Sequence, residues 1–124
     1  MKANGARIVL LVEDDADLRE VMAEALALQN IATAVAGNGA EAIGYLRNSP
    51  PPALILLDLM MPVMDGFQFR REQQAVPAWC EIPVVVLSAD RELQVKIGPL
   101  AVAGYLRKPV DFAELVAVIQ RHTG

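Results

Sequence analysis

Four short apolar runs each end in polar groups able to do chemistry. Ile8 to Val12 is followed by Glu13-Asp14-Asp15, and Ala53-Leu54-Ile55-Leu56-Leu57 by Asp58. Val84-Val85-Val86-Leu87 is followed by Ser88, and the run from about Val102 to Leu106 by Arg107-Lys108-Pro109. Carboxylates gathered in one place are costly. Two like charges about 4 Å apart repel by roughly 4 kcal/mol at an effective dielectric near 20. Three of them need a cation, and Lys108 supplies only one positive charge. A hard divalent ion, Mg²⁺ or Mn²⁺, suits a few carboxylates, water and a phosphate oxygen. Metal, lysine and hydroxyl together fit phosphoryl transfer: metal and lysine neutralise phosphoryl oxygens, the hydroxyl hydrogen-bonds another, and a carboxylate attacks phosphorus to give an acyl phosphate.

The elements that must bring these groups together alternate regularly. Strand 1 is Ile8 to Val12. Asp15 then caps a helix with Leu18, Val21, Met22, Ala25 and Leu26 on one apolar face. A weak strand 2 spans Ile31 to Ala36. Asn38 with Glu41 forms a capping-box pattern that opens helix 2, running through Leu46. Pro50-Pro51-Pro52 is a stiff linker too short to divide domains. Strand 3 is Ala53 to Leu57, and Asp65-Gly66 opens helix 3, ending near Ala75. Pro83 starts strand 4, Val84 to Leu87, and a short helix 4 runs from Arg91 to about Ile97, stopping near Gly98-Pro99. Strand 5 is about Val102 to Leu106. Asp111 and Glu114 repeat the capping-box pattern before helix 5, which turns Phe112, Leu115, Val116 and Ile119 to one side. Several strands are apolar throughout, as expected when helices cover both faces of a parallel sheet. In such a sheet all the reactive groups finish at one edge, where open α/β sheets bind ligands.

Composition narrows the classes. The 124 residues make one domain, with a core expected over about 7–122. A hydrophobic fraction of 54% is enough for a normal core. A net charge of −4 argues against direct nucleic-acid binding, which calls for a basic face. No apolar stretch is long enough to span a membrane or to serve as a secretory signal, so the expected location is cytoplasmic. The single cysteine, Cys80, and single histidine, His122, are too few for a soft-metal site. Neither is given a role; His122 falls in the last helical turn, where a cation is favourable. Trp79 is expected to pack or lie at the surface before strand 4.

The stretches Val12-Glu13-Asp14-Asp15, Leu57-Asp58-Leu59-Met60-Met61-Pro62-Val63-Met64-Asp65-Gly66, Val86-Leu87-Ser88-Ala89 and Lys108-Pro109 together resemble the receiver domain of bacterial two-component response regulators. All four stand in the family's order, and the resemblance runs from Ile8 to the last helix. It implies a flavodoxin-like α/β fold, doubly wound (βα)5, with parallel strands in the order 2-1-3-4-5. It implies that Asp58 is the phosphoacceptor and that Glu13, Asp14, Asp58 and the backbone carbonyl of Met60 hold Mg²⁺. Lys108 resembles the lysine that pairs with the phosphoryl group, ahead of a cis Lys108-Pro109 bond. Ser88 and Tyr105 stand at the switch positions, and Met60 and Asp90 where the family tunes dephosphorylation. The implied partners are a sensor histidine kinase or a histidine phosphotransfer protein. The implied response is a changed face made by helix 4, strand 5 and helix 5, which meets a downstream protein.

Other functions fit less well. An aspartyl phosphatase with the same ion typically has a second Asp two residues after its nucleophile, and Met60 stands there. A flavodoxin needs a hydroxyl-rich phosphate loop after strand 1, where this chain has three acids. The alternatives that remain are a receiver-like interaction domain not regulated by phosphorylation and a receiver fragment of a hybrid kinase. The sequence therefore reads as a stand-alone receiver domain that resembles the chemotaxis-type single-domain regulators, a signalling switch that catalyses only its own phosphorylation and slow dephosphorylation; a piece of a longer regulator is the other reading.

Overall fold

A computed structural model describes residues 8–61, 63–89 and 101–123. Five strands form one sheet: β1 (Val9–Val12), β2 (Thr33–Ala36), β3 (Leu54–Asp58), β4 (Val84–Ser88) and β5 (Gly104–Arg107). The described helices are α1 (Ala16–Ala27), α2 (Gly39–Asn48), α3 (Gly66–Ala75) and the C-terminal α4 (Phe112–Thr123). The sheet order is β2-β1-β3-β4-β5, with every pairing parallel, which is the flavodoxin-like order. The helix expected over 91–97, and Asp90 with it, lies outside the described residues. Among the described residues no helix is long and apolar enough to cross a membrane.

The period-two alternation of strand side chains divides the core into two layers. Leu10, Val12, Ile55, Leu57, Val84 and Val86 pack with Ala42, Ile43 and Leu46 of α2 and Phe69 of α3. Val9, Leu11, Leu54, Leu56, Val85 and Leu87 pack with Met22 and Leu26 of α1 and Leu115 and Ile119 of α4. Strands β1, β3 and β4 are buried along their whole length. That is why their sequences are uninterrupted apolar runs rather than alternating ones. Each fully buried Leu, Ile or Val contributes about 1.5–3 kcal/mol of apolar burial, so the site stands on well-buried strands.

Helix starts follow their caps. Asp15 Oδ1 accepts from the N–H groups of Asp17 and Leu18, both at 3.1 Å. Asn38 Oδ1 accepts from Glu41 N at 2.9 Å, and Asp65 Oδ1 from Gln68 N at 2.9 Å. Each cap is worth about 1 kcal/mol. The box at α2 departs from its pattern: the Glu41 carboxylate takes the N–H of Gly37, at 2.6 Å, one residue earlier than expected. Val21 is a second departure. It was expected on the buried face of α1 yet is 61% exposed. It lies five residues before the fully buried Leu26, roughly 140° around the helix, beyond the stripe that faces the sheet. The third is β5, which begins at Gly104 rather than near Val102. As an edge strand it has one buried side chain, Leu106, while Val102 packs on the core from the preceding loop.

Candidate functional site

The strand registers bring the polar ends together. Val12 pairs with Leu57, so Glu13 follows beside Asp58; Asp58 pairs with Leu87 and Ser88 with Arg107, one residue short of Lys108. One oxygen from each of Glu13, Asp14 and Asp58 lies within 4.8 Å of the others. Glu13 is 1% exposed and Asp58 4%, whereas Asp14 is open to solvent. Lys108 Nζ reaches in from the β5–α4 connection to Glu13 Oε1 at 2.8 Å and Asp58 Oδ2 at 3.3 Å. The backbone positions this lysine: its N–H donates to the Ser88 carbonyl at 2.9 Å, and the Lys108–Pro109 peptide is cis.

The electrostatics follow from burial. Desolvation pushes the Asp58 carboxyl up to about 6, against the hydrogen bond from Met60 N, with the Glu13 charge adding to the rise and Lys108 opposing it. Burial would pull the Lys108 ammonium down, but its hydrogen bond to Glu13 and the charges of Asp58 and Glu13 outweigh that, so it is raised. The lysine is firmly charged, and the carboxylates exceed it in number. All three acids offer hard oxygen donors and none offers nitrogen or sulfur. This donor set fits Mg²⁺ or Mn²⁺ rather than zinc.

The loop from Leu59 to Asp65 completes the crevice. Met60 N donates to Asp58 Oδ1 at 3.1 Å, so its N–H faces the site, while Met60 as a whole is 70% exposed. Leu59 and Met61 point inward and are buried. Gly66 is required by contact: a Cβ there would lie 2.7 Å from the Asp58 carbonyl oxygen and from Leu59 Cα. Val63 is the loop's weak point. It is 82% exposed with φ 69, a conformation that suits Gly or Asn and is an outlier for a β-branched residue. Replacing Val63 with Gly removes that strain but adds freedom to the unfolded chain. The expected net gain is about 1 kcal/mol in urea unfolding; an unchanged or lower midpoint would show that Val63 is not strained.

The remaining predicted residues are spread as follows. Ser88 is 2% exposed at the end of β4. Tyr105 is 37% exposed on β5, beside Val86 in register. Trp79 packs partly buried against the α2–α3 side of the core. Two contacts at the site go beyond the roles read from the sequence, which gave Asp15 as a helix cap and gave Arg19 none. Arg19 Nη1 donates to the Glu13 carbonyl at 2.7 Å, and Asp15 N to Glu13 Oε2 at 3.2 Å. Both fix the β1–α1 turn on which Glu13 and Asp14 stand. For Arg19 the only clue was its position six residues after Glu13, on the turn of α1 that follows the cap.

The model of the response regulator receiver domain matches residues 9–120. Sensor histidine kinase TmoS of Ectopseudomonas mendocina is 40% identical over 111 residues, which cover 88% of this chain and 11% of that protein. The alkaline phosphatase synthesis transcriptional regulatory protein SphR of Synechococcus elongatus is 35% identical over 130 residues, covering 93% of this chain and 48% of its own. The chain thus spans less than half the length of either relative. The receiver domain of a signal transduction histidine kinase from Syntrophus aciditrophicus superposes with a TM-score of 0.86 at 28% identity, covering 95% of this chain and 90% of that one.

Proposed function

The chain belongs to the response regulator receiver domain family, and from that premise we propose that Asp58 accepts a phosphoryl group from a phosphohistidine on a sensor histidine kinase or histidine phosphotransfer protein. The family is a signalling switch, not a conventional enzyme. The observation that carries the proposal is the buried Asp58 held between Lys108 and two further carboxylates at one sheet edge. Glu13, Asp14, Asp58 and the Met60 carbonyl would hold Mg²⁺, which supplies charge neutralisation for phosphoryl oxygens.

An Asp58 carboxylate oxygen forms the new bond to phosphorus as the donor's P–N bond breaks, and the electron pair returns to the imidazole nitrogen. A carboxyl pushed up to about 6 is still mostly ionised at neutral pH and is a better nucleophile for its raised basicity. Lys108, now 3.3 Å from Asp58, donates to a phosphoryl oxygen, and the Ser88 hydroxyl to another. The new group adds about −1.5 to −2 charges. Ser88 moves toward it, Tyr105 turns into the space, and the face around β5 and α4 changes shape for a protein partner. Moving such a switch from nearly off to nearly on takes roughly 5.5 kcal/mol of differential stabilisation. Slow attack of water on phosphorus resets the domain, at a rate set by Met60 and Asp90. Residues 1–124 act as one receiver unit, alone or within a longer protein, on the cytoplasmic side where phosphohistidine is made.

Intact mass after incubation with acetyl phosphate tests the chemistry. The parent should gain one phosphoryl group only with Mg²⁺ present, and Asp58→Ala should gain none. Folded parent protein without any gain would turn the reading to an interaction domain not regulated by phosphorylation. The decay of the same mass peak in Met60 and Asp90 substitutions tests their part, and unchanged half-lives would remove it.

A further inference from the structure

The loop that presents Met60 is clamped from outside by the first residue of α2. Gly39 N donates to the Met64 carbonyl at 3.0 Å. A Cβ on Gly39 would stand 2.8 Å from that carbonyl oxygen and 2.7 and 2.9 Å from Met64 Cγ and Sδ. The side chain could swing away, but the carbonyl is backbone and moves only with its loop. We propose that Gly39 is a positioning residue for the divalent-cation site: its close approach to Met64 sets the height of the Leu59–Asp65 loop, and so the place of the Met60 carbonyl relative to Asp58. This rests on the reading of the Met60 carbonyl as a metal ligand given above.

Leu59 and Met61 anchor the first half of the loop in the core, and Met64 packs partly buried against it. At its near end Met60 N is tied to Asp58 Oδ1 at 3.1 Å, and at its far end Gly66 N donates to the Leu59 carbonyl at 3.0 Å. Between them the chain reverses through Val63, whose φ of 69 is not one that valine holds by preference. Among the described residues, the Gly39–Met64 bond is the backbone hydrogen bond that ties the far side of this reversal to α2. The start of α2 cannot easily give way instead. Asn38 caps the helix, Glu41 takes the Gly37 N–H, and Ala42, Ile43 and Leu46 are buried in the core. A side chain at position 39 therefore lifts the loop rather than the helix.

The same helix contains its own control. A Cβ on Gly44 would meet nothing within 4 Å. Gly44→Ala raises helix propensity without touching the loop, so it separates helix stability from site geometry.

The test is Mg²⁺ titration by calorimetry on the parent, Gly39→Ala and Gly44→Ala, each shown to be folded by near-ultraviolet circular dichroism. Amide hydrogen exchange of Gly39 in the parent, with and without Mg²⁺, accompanies it. Gly39→Ala should bind Mg²⁺ about tenfold more weakly, as when an outer support of a metal site is removed, and Gly44→Ala within about twofold of the parent. Coupling is reciprocal, so Mg²⁺ should slow exchange of the Gly39 N–H in the parent. A merely structural glycine would lower the melting temperature without moving either quantity. If the parent binds Mg²⁺ but Gly39→Ala binds equally well, or the Gly39 amide ignores the ion, the inference fails while the site reading stands. If the parent binds no Mg²⁺, both fail. Should Gly39→Ala not fold, the exchange measurement on the parent decides alone.

Discussion

In EDTA at pH 8, Asp58→Asn should melt above the parent by about 5–10 °C. The reason is the energy of holding an ionised carboxylate in a buried crevice beside Glu13 with, among the described residues, Lys108 paired to both. A carboxyl displaced upward from 3.8 to about 6 corresponds to about 3 kcal/mol of preference for the neutral form. The open side at Asp14 admits water and lowers this to about 2 kcal/mol. Asparagine keeps the shape and can still accept the Met60 N–H through Oδ1. It gives up the attraction to Lys108, but that attraction is already included in the net upward displacement. An Asn variant no more stable than the parent in EDTA would show that the carboxylates are not in conflict.

The pH dependence gives the same effect an independent signature. Because the folded carboxyl titrates above its unfolded value, the native state binds the proton more tightly. This group's contribution is therefore fully present below about pH 4 and is lost as pH rises through about 6. The parent and Asp58→Asn should be nearly equally stable near pH 4, then separate between about pH 4 and 7, with the gap constant above. Lys108 is raised from an already high value, so its loss belongs to strongly alkaline solution and does not overlap. Mg²⁺ should close the gap at pH 8 by stabilising the parent more than the variant. A gap that is independent of pH would place its origin in packing rather than in charge.

What was legible in the sequence was whatever burial writes as an apolar run. β3 reads plainly because Leu54 to Leu57 are covered on both faces, and Asp58 at its end is conspicuous for being charged. The starts of α1, α2 and α3 were legible because Asp15, Asn38 and Asp65 do the capping their residue types allow. Strand β5 reads two residues early at its start because an edge strand with one buried side chain leaves little hydropathic trace of its ends. The left-handed Val63 was illegible because valine gives no hint of that conformation. The buried face of α3 was hidden for a different reason. Gly66, Phe69, Arg70 and Gln73 fall on one helical stripe, yet two of the four are polar, so the stripe reads as surface.

That hidden stripe carries the second large effect: Gln73→Leu should destabilise the protein by about 3 kcal/mol. Gln73 is fully buried, and its amide nitrogen donates to the carbonyls of Trp79 at 2.8 Å and Ile82 at 3.0 Å. Its oxygen accepts from Arg70 Nη1 at 2.7 Å, while Arg70 Nη2 reaches the carbonyl of Ala101 at 2.9 Å. One amide therefore joins α3 to the segment before β4 and, through the guanidinium, to the segment before β5. Leucine matches the volume but leaves the Ile82 carbonyl and one Arg70 donor without these partners, in surroundings whose burial already pulls the Arg70 guanidinium down. The Trp79 carbonyl suffers less, because Ile82 N also donates to it at 3.1 Å. The same substitution at Gln68, exposed on the same helix, should change stability by less than about 0.5 kcal/mol. Arg70→Met added to Gln73→Leu should cost less than the sum of the two single changes, because both remove the same Arg70–Gln73 hydrogen bond. Urea unfolding of the parent and the four variants measures this directly. Additive losses, or a Gln73→Leu protein as stable as its Gln68 counterpart, would mean that the buried amide is not the joint between α3 and the segments leading into β4 and β5.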